Sequence, residues 1–261
     1  MQRFNDKVIV ITGATAGLGR ALVKAFANYP CHIAGLGRRS AALDSLGQEI
    51  ADKPAKYLPI TCDVSNKENS RAAFDKIFET FGKVDVLINN AGITNISLFG
   101  SDSHVDIAKE VMDTNYFGMV NCTASAINSI KTNRGAIINI SSVAGYSPLV
   151  GRTAYSASKH AMHGFSNSLR AELIQHGVQV MVVCPTFIQT EIRSNGEQQV
   201  QGETLTPEYT ALRIIKGIEK GKRLLLIGKT AIFAYWMNKL FPVTYERIMI
   251  NNQLAKVKGN P

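Results

Sequence analysis

The segment YSASK places a tyrosine and a lysine, Tyr155 and Lys159, four residues apart with only small residues between them. On a helix, residues four apart lie on the same face, so both side chains would point the same way. A nearby ammonium group favours the phenolate, and a tyrosine whose pKa is lowered in this way can exchange a proton with a carbonyl or alcohol oxygen. The pair alone is weak evidence, because such pairs are also common on solvated helix faces.

Two serines precede this pair at the end of an apolar run. Ser141 and Ser142 close the segment GAIINISS, and Ser142 lies thirteen residues before Tyr155. The intervening loop contains glycine and proline and can fold back, so the Ser142 hydroxyl could hold a substrate oxygen beside the tyrosine. Asn115 is a polar residue in an otherwise apolar helical pattern. It is either functional or a core amide whose hydrogen bonds are satisfied within the protein.

Seven short apolar runs must position these groups. They cover residues 7–12, 31–36, 56–61, 84–89, 135–141, 178–184 and 223–228. Nearly continuous apolar runs indicate strands covered by helices on both faces, and alternation with amphipathic stretches implies a parallel sheet. The sequence therefore predicts one α/β domain with a doubly wound, Rossmann-type sheet over residues 1–230. Residues 231–261 form a basic, aromatic extension that we expect to pack on or near that domain.

A glycine-rich turn follows the first predicted strand, and ligands bind such sheets at the carboxyl ends of their strands. Gly13, Gly17 and Gly19 have the spacing G-x3-G-x-G, which is wider at the first gap than the common dinucleotide fingerprint. Glycines allow a tight turn and close backbone approach, and the next helix N-terminus offers N–H donors to a pyrophosphate. A plain glycine turn is the alternative, but the position after the first strand favours a dinucleotide.

The end of the second strand indicates which dinucleotide would bind. An NAD site usually has a carboxylate there, whereas an arginine accommodates the 2′-phosphate of NADP. Arg38 and Arg39 occupy this position, so we expect NADP(H) rather than NAD(H), with Arg38 as the main contact. Asp63, after the third strand, could face the adenine or cap the next helix. Asn90 and Gly92 could contact the cofactor or simply form a turn.

Taken together, TGATAGLG, CDVS, NNAG, SSVAG, YSASK and the region around Asn115 resemble the short-chain dehydrogenase/reductase family in order and spacing, to about residue 230. The resemblance implies an oxidoreductase that moves a hydride between NADP(H) and a ketone, aldehyde or secondary alcohol. It implies Tyr155 as the general acid/base and Ser142 as the anchor of the substrate oxygen. Lys159 would bind the nicotinamide ribose and lower the tyrosine pKa, and Asn115 would hold a water in a proton relay.

The resemblance also implies a set of cofactor contacts drawn from the strand ends. Its members are Gly13, Thr15, Gly17, Leu18, Gly19, Arg38, Arg39, Asp63, Val64, Asn90, Ala91, Gly92, Tyr155, Lys159, Pro185, Ile188 and Thr190. One departure is Thr186, which stands where the family usually has a glycine and leaves the shape of the nicotinamide pocket open. The helices that carry Asn115 and Tyr155 often form dimer faces in the family, so we expect a homodimer or homotetramer.

The net charge of +9 is concentrated near the C-terminus. Residues 211–261 contain ten Lys/Arg and two Asp/Glu, which leaves 19 basic and 18 acidic residues in the remainder. A nucleic-acid enzyme would also carry basic residues around its cleft, so we expect no nucleic-acid partner. Lysines flank seven apolar or aromatic residues between positions 232 and 241. Such a segment can contact an anionic membrane, which would favour a lipid-like substrate, or it can pack on a subunit or close the pocket.

Cysteines, histidines and a long polar segment indicate the cellular location and the remaining alternatives for function. The four cysteines are far apart in the sequence and are predicted to be reduced and packed, and no secretion signal is evident, so a cytoplasmic location is expected. His160 and His163 have no acidic or cysteine neighbours in sequence, so we expect no metal. The polar segment 191–209 is either a lid or a passive surface excursion. The alternative function is a dinucleotide-binding sensor or regulatory module without turnover, which would tend to lose the acid/base residues.

Overall fold

The computed structural model describes residues 4–96, 98–100, 103–189 and 203–258. Its strands are β1 (Val8–Thr12), β2 (His32–Gly37), β3 (Lys56–Thr61), β4 (Val86–Asn89), β5 (Ala136–Ile140), β6 (Gln179–Pro185), β7 (Phe187–Ile188), β8 (Thr204–Leu205) and β9 (Leu224–Ile227). Seven of them form a parallel sheet in the order β3-β2-β1-β4-β5-β6-β9, and β7 pairs with β8. The predicted doubly wound α/β fold is confirmed, and each predicted run matches its strand to within two residues.

Helices cover both faces of this sheet. They are α1 (Gly17–Phe26), α2 (Ser40–Glu49), α3 (Lys67–Phe81), α4 (Ser103–Met112), α5 (Gly118–Thr132), α6 (Thr153–Glu172), α7 (Pro207–Glu219), α8 (Lys229–Leu240) and α9 (Pro242–Lys258). Alternate residues of β1 belong to two separate hydrophobic cores, one on each face of the sheet. Ile9 and Ile11 pack with α1, α2 and α7, and Val8 and Val10 pack with α3 and α5. Burial on both faces explains why the strands are continuously apolar in sequence.

The order of the strands reverses between β1 and β4, and this position is the expected ligand crevice of the fold. A single turn of π-helix, Asp113–Phe117, joins α4 to α5 near this crevice. Such turns insert an extra residue into a helix and occur frequently at functional sites. The turn carries Asn115, which is completely buried.

The chain after β9 forms two consecutive helices, α8 and α9, so the extension begins with regular structure at Lys229. Among the described residues, no helix is long and apolar enough to cross a membrane. The segment 191–209, for which a lid and a passive surface excursion were the alternatives, lies largely outside the described residues, which resume with β8 and α7. All four cysteines are buried and unpaired, as predicted.

Candidate active site

The glycine-rich turn has the geometry of an anion-binding loop. Gly13 and Gly17 have φ angles of +66° and +50°, a region that favours glycine. A Cβ on Gly19 would lie 2.1 Å from the carbonyl oxygen of Gly13, so the start of α1 passes too close for any side chain. Buried Leu18 anchors α1, and no side chain in the described part of the chain caps the N-terminus of this helix. The N–H groups of the first turn of α1 therefore have no side-chain acceptor, as a pyrophosphate site requires.

Asn90 locks this turn to the end of β4. Its Nδ2 donates to the carbonyl oxygens of Thr12 and Gly13, at 2.9 and 3.3 Å. The Thr12 hydroxyl in turn accepts from the backbone N–H groups of Asn90 and Ala91, at 2.9 and 3.0 Å. The predicted contacts Asn90 and Ala91 therefore lie at the crevice, where the side chain of Asn90 shapes the turn.

Both predicted ribose contacts lie at the end of β2, next to the same turn. Arg39 donates from Nη2 to the hydroxyl and the carbonyl oxygen of Thr15, at 3.3 and 3.4 Å. Arg38 is exposed and, with Asp63, lines a cleft of about 340 Å³. The two guanidinium groups therefore flank the end of the crevice at which an adenosine ribose is expected.

Asp63 and Val64 follow β3 at the same edge of the sheet. The Asp63 carboxylate accepts from the backbone N–H and the hydroxyl of Ser65, at 3.0 and 2.7 Å. The idea that Asp63 caps the next helix is wrong, because Asn66 caps α3 by accepting from the N–H of Asn69. Val64 is buried within one of the two cores.

The three groups predicted to perform the chemistry converge at the carboxyl end of β5. Tyr155 and Lys159 lie one turn apart on α6, with the Lys159 Nζ 5.6 Å from the centroid of the tyrosine ring. The Ser142 hydroxyl lies close enough to the phenol of Tyr155 to favour its ionised form. The hydroxyl of Ser142 also accepts from the backbone N–H of Ala144 at 3.2 Å, which fixes its position. A phenol, an ammonium group and an alcohol thus share one pocket.

The electrostatics of this pocket differ from the sequence expectation. Burial raises the pKa of Tyr155 above its ordinary value of 10.0, while the Ser142 hydrogen bond and the charge of Arg152 lower it. The expected lowering of the tyrosine pKa is therefore wrong, because burial penalises the phenolate more than these groups favour it. Burial also lowers the pKa of Lys159 to about 8. Its ammonium group donates to the carbonyl oxygen of Ile140 at 2.9 Å.

Asn115 is a satisfied core amide. Its Oδ1 accepts from the N–H of Ile93 at 2.8 Å, and its Nδ2 donates to the Ile93 carbonyl oxygen and to the Ser158 hydroxyl, both at 3.0 Å. Ser158 donates in turn to the carbonyl oxygen of Tyr155 at 2.7 Å. The amide therefore fastens the loop after β4 to the helix that carries the tyrosine.

Gly92 separates this amide from the ammonium group. A Cβ on Gly92 would lie 3.1 Å from the Oδ1 of Asn115 and 3.8 Å from the Nζ of Lys159. Both polar atoms thus face the same small space above the glycine. A side chain at this position would crowd the amide oxygen.

The predicted nicotinamide contacts follow β6. Pro185 ends that strand and pairs with Ile227 of β9, and Ile188 lies in β7. Thr186, at the position of the family glycine, is 5% exposed, and its N–H donates to the Ile227 carbonyl oxygen at 2.9 Å. Among the described residues its hydroxyl has no hydrogen-bond partner. Thr190 lies outside the described residues.

A polar cluster behind the pocket was missed by sequence reasoning. His163 lies one turn after Lys159 on α6, and its Nε2 is 2.9 Å from the Ser141 hydroxyl and 3.5 Å from the Cys184 sulfur. Burial lowers the pKa of His163 to about 4, so the ring is neutral. His160 instead is exposed, with its Nδ1 beside a backbone carbonyl oxygen. The four-residue spacing of positions 155, 159 and 163 could have indicated that His163 lies on the same face of the helix as Tyr155 and Lys159.

The loop after Ser142 is tied to the C-terminal helices, which no local pattern revealed. The Tyr146 hydroxyl donates to the carbonyl oxygen of Ala231 at 2.7 Å, and the Asn238 side chain donates to the carbonyl oxygen of Tyr146. The hydroxyls of Ser147 and buried Tyr245 are 2.9 Å apart. Helices α8 and α9 therefore support the loop that borders the pocket.

Comparisons with known proteins identify the family and the fold of the chain. Residues 7–201 match the family model described as short chain dehydrogenase. The chain is 37% identical to dehydrogenase/reductase SDR family member 7B of Xenopus tropicalis, over 94% of this chain and 84% of that protein. A short chain dehydrogenase from Burkholderia cenocepacia, solved with NADP, is 25% identical with a TM-score of 0.83, over 96% of this chain and 99% of that one. Another from Burkholderia phymatum, solved with NAD, is 23% identical with a TM-score of 0.81, over 92% and 95%, a likeness of fold alone.

Proposed function

Because the chain belongs to the short-chain dehydrogenase/reductase family of oxidoreductases, we propose that it transfers a hydride between NADP(H) and a ketone, aldehyde or secondary alcohol. The observation that carries this proposal is the shared pocket of Ser142, Tyr155 and Lys159 at the carboxyl end of the sheet. A dinucleotide-binding sensor would not need a serine and a tyrosine side by side next to a buried lysine.

Tyr155 is the proposed acid/base. Its raised pKa keeps the phenol protonated at neutral pH, so it is poised to donate a proton to the oxygen of a carbonyl substrate. The Ser142 hydroxyl would hold that oxygen next to the phenol. NADP(H), when bound, supplies the hydride that reaches the carbonyl carbon, and the product is an alcohol. In the oxidative direction the tyrosine would accept the proton instead.

Lys159 supports the tyrosine after proton transfer. Its ammonium group would bind the nicotinamide ribose and stabilise the phenolate that the reduction leaves behind. The space above Gly92, faced by Nζ of Lys159 and Oδ1 of Asn115, is the position we assign to a relay water. A proton from solvent would return to Tyr155 along this route.

Replacement of Tyr155 by Phe tests the assigned reaction. NADPH oxidation with a panel of ketones and aldehydes should fall by roughly 10²- to 10⁴-fold, the usual contribution of a general acid. NADPH binding, followed by the fluorescence of the nicotinamide, should stay within a few fold. Unchanged turnover would refute the role of Tyr155. A wild-type protein that binds NADPH but reduces no carbonyl compound would favour the sensor.

The residues of the crevice fit a dinucleotide, and we propose that it is NADP(H). The uncapped N-terminus of α1 suits the pyrophosphate, and Arg38 and Arg39 supply positive charge where a carboxylate would select NAD. Arg38→Asp should weaken NADPH binding by roughly 10- to 100-fold and NADH binding far less. Arg71→Asp, an exposed position on α3, is the matched control. Equal losses for both cofactors would defeat the assignment.

We further propose a homodimer or homotetramer. Val105 on α4 and Phe117 beside α5 are 60% and 48% exposed, on the helices that flank Asn115. Large exposed apolar side chains of this kind suit a subunit interface. Light scattering of the wild type and of Phe117→Ser tests the proposal. A monomeric wild type would contradict it.

A further inference from the structure

One side of the C-terminal helices carries large apolar side chains that are 40–60% exposed. They are Ile232, Phe233, Trp236, Leu240, Phe241, Val243 and Ile248. Within α8, positions 232, 236 and 240 are four residues apart and form one stripe, which the turn into α9 continues. We call this exposed side of α8 and α9 the C-terminal surface. Contiguous exposed apolar patches mark sites of interaction.

Basic residues lie on the same two helices as these apolar side chains. Lys229, Lys239 and Arg247 are exposed on the same two helices. Residues 229–251 contain three Lys/Arg and a single acidic residue, Glu246, a net charge of +2. The surface therefore combines apolar contact area with positive charge, whereas the first 210 residues of the chain are nearly neutral.

The side chains on this surface are arranged as at a lipid–water boundary. The ammonium group of Lys239 lies 5.7 Å from the ring centroids of both Tyr235 and Trp236. The positive charge therefore lies against the two aromatic rings, which attract a cation. Tryptophan and tyrosine favour the headgroup level of a bilayer, because each has an apolar ring and one polar group.

We propose that the C-terminal surface docks peripherally on an anionic membrane. Phosphate headgroups complement the lysines, and the aromatic side chains reach the boundary of the acyl chains. Two copies of the chain paired through this surface would instead bring one basic rim against another, with only Glu246 to offset them. The charge of the surface therefore favours lipid over self-association.

Docking on this side brings the membrane next to the candidate active site. Helix α8 follows Ile227, which pairs with Pro185 at the nicotinamide end of the crevice. The hydrogen bond from Tyr146 to Ala231 joins α8 to the loop that begins at Ser142. A membrane-bound protein would thus hold its substrate loop close to the lipid.

The single tryptophan of the chain, Trp236, reports docking directly. The full-length protein is mixed with phosphatidylcholine vesicles that contain phosphatidylserine, or with phosphatidylcholine vesicles alone. With the anionic vesicles we expect a blue shift of the tryptophan emission, protection from acrylamide and co-sedimentation of the protein. Binding should weaken as salt is raised, because screening reduces the attraction of the lysines. A wild-type protein that never binds the anionic vesicles overturns the proposal.

Charge variants test the electrostatic part. Lys229→Gln and Lys239→Gln should each lower the vesicle partition coefficient about fivefold, since each lysine near an anionic surface adds a similar increment. The matched control is Lys67→Gln with Arg71→Gln, two exposed residues on α3. If Lys67→Gln with Arg71→Gln weakens vesicle binding as much as Lys229→Gln with Lys239→Gln, only the net charge of the protein matters, and the assignment to the C-terminal surface is overturned.

Apolar variants test insertion and separate the outcomes. Phe233→Ser with Leu240→Ser should lower partitioning at least about tenfold, whereas Ile174→Ser, 78% exposed beyond the end of α6, should not. If Phe233→Ser with Leu240→Ser instead splits an oligomer while the wild type ignores vesicles, the surface is a subunit interface and the proposal fails. Vesicle binding is measured without turnover, so its failure is distinct from failure of the proposed reaction.

Discussion

Lys159 places a positive charge in the interior of the protein, and its replacement by Met should stabilise the fold while it abolishes turnover. The side chain is 4% exposed, and burial lowers its pKa from 10.5 to about 8. The unfolded chain therefore binds more protons than the folded one between these two pH values. By linkage, stability rises with pH in this window, and at neutral pH the charged lysine destabilises the fold.

The size of the effect follows from the two pKa values. The difference between the two pKa values corresponds to a destabilisation of about 3 kcal/mol at pH 7, which falls to about 1 kcal/mol at pH 9.5. Loss of the hydrogen bond to the Ile140 carbonyl oxygen offsets about 1 kcal/mol at either pH. Lys159→Met should therefore be about 2 kcal/mol more stable than the wild type at pH 7. The difference in free energy of unfolding between Lys159→Met and the wild type should decrease by about 2 kcal/mol between pH 7 and pH 9.5.

Urea unfolding at both pH values measures this difference. With a slope near 3 kcal/mol per molar urea, the midpoint of Lys159→Met should exceed that of the wild type by somewhat less than 1 M at pH 7. Lys67→Met, which changes an exposed lysine on α3, should show no such dependence on pH. NADPH oxidation by Lys159→Met should be lost at both pH values.

A constant difference between the two proteins at pH 7 and pH 9.5 would refute the reasoning, because the pH dependence comes only from the depressed lysine pKa. A wild type more stable than Lys159→Met at pH 7 would mean that the hydrogen bond outweighs the cost of burial. Turnover by Lys159→Met near the wild-type rate would remove Lys159 from the active site.

Three further predictions concern the elements around the pocket. Gly19→Ala should lower stability by roughly 3 kcal/mol and weaken NADPH binding, because the new Cβ would lie 2.1 Å from the Gly13 carbonyl oxygen. The control is Gly164→Ala, whose Cβ would meet nothing within 4 Å and which should leave thermal unfolding unchanged. His163 is neutral in the fold because burial lowers its pKa from 6.5 to about 4, so about 2 kcal/mol of stability should be lost between pH 7 and pH 5, and His163→Gln should lack this loss. Thr186→Val removes a buried hydroxyl without a partner among the described residues, and should raise Tm by about 2–4 °C without changing turnover; a lower Tm would contradict this.

Local patterns predicted the scaffold well. Strands buried on both faces consist of consecutive apolar residues, so β1 and β5 could be located from the sequence alone. The turn from Gly13 to Gly19 was also predictable, because the conformation and the close approach that require glycine arise within seven residues. Both features depend on neighbours in the chain rather than on distant packing.

The pocket itself depends on contacts between distant parts of the chain. The raised pKa of Tyr155 comes from burial, which no spacing of residues encodes. The amide of Asn115 is satisfied by a loop 22 residues earlier and a helix 43 residues later. The bond from Tyr146 to α8 spans 85 residues. Sequence reasoning could therefore name the groups but could not state their protonation or their support.

Tyr155, Lys159 and His163 lie on successive turns of one helix, whereas Ser142 lies at a strand end, separated from the start of that helix by the ten residues 143–152. The spacing between phenol and ammonium is thus fixed by the pitch of α6 and is independent of that loop. Loops of other lengths grafted between 143 and 151 would alter which molecules enter, while that spacing and the charge of Arg152 near the phenol would stay in place. The same modularity offers natural variants a route to new substrates through insertions alone.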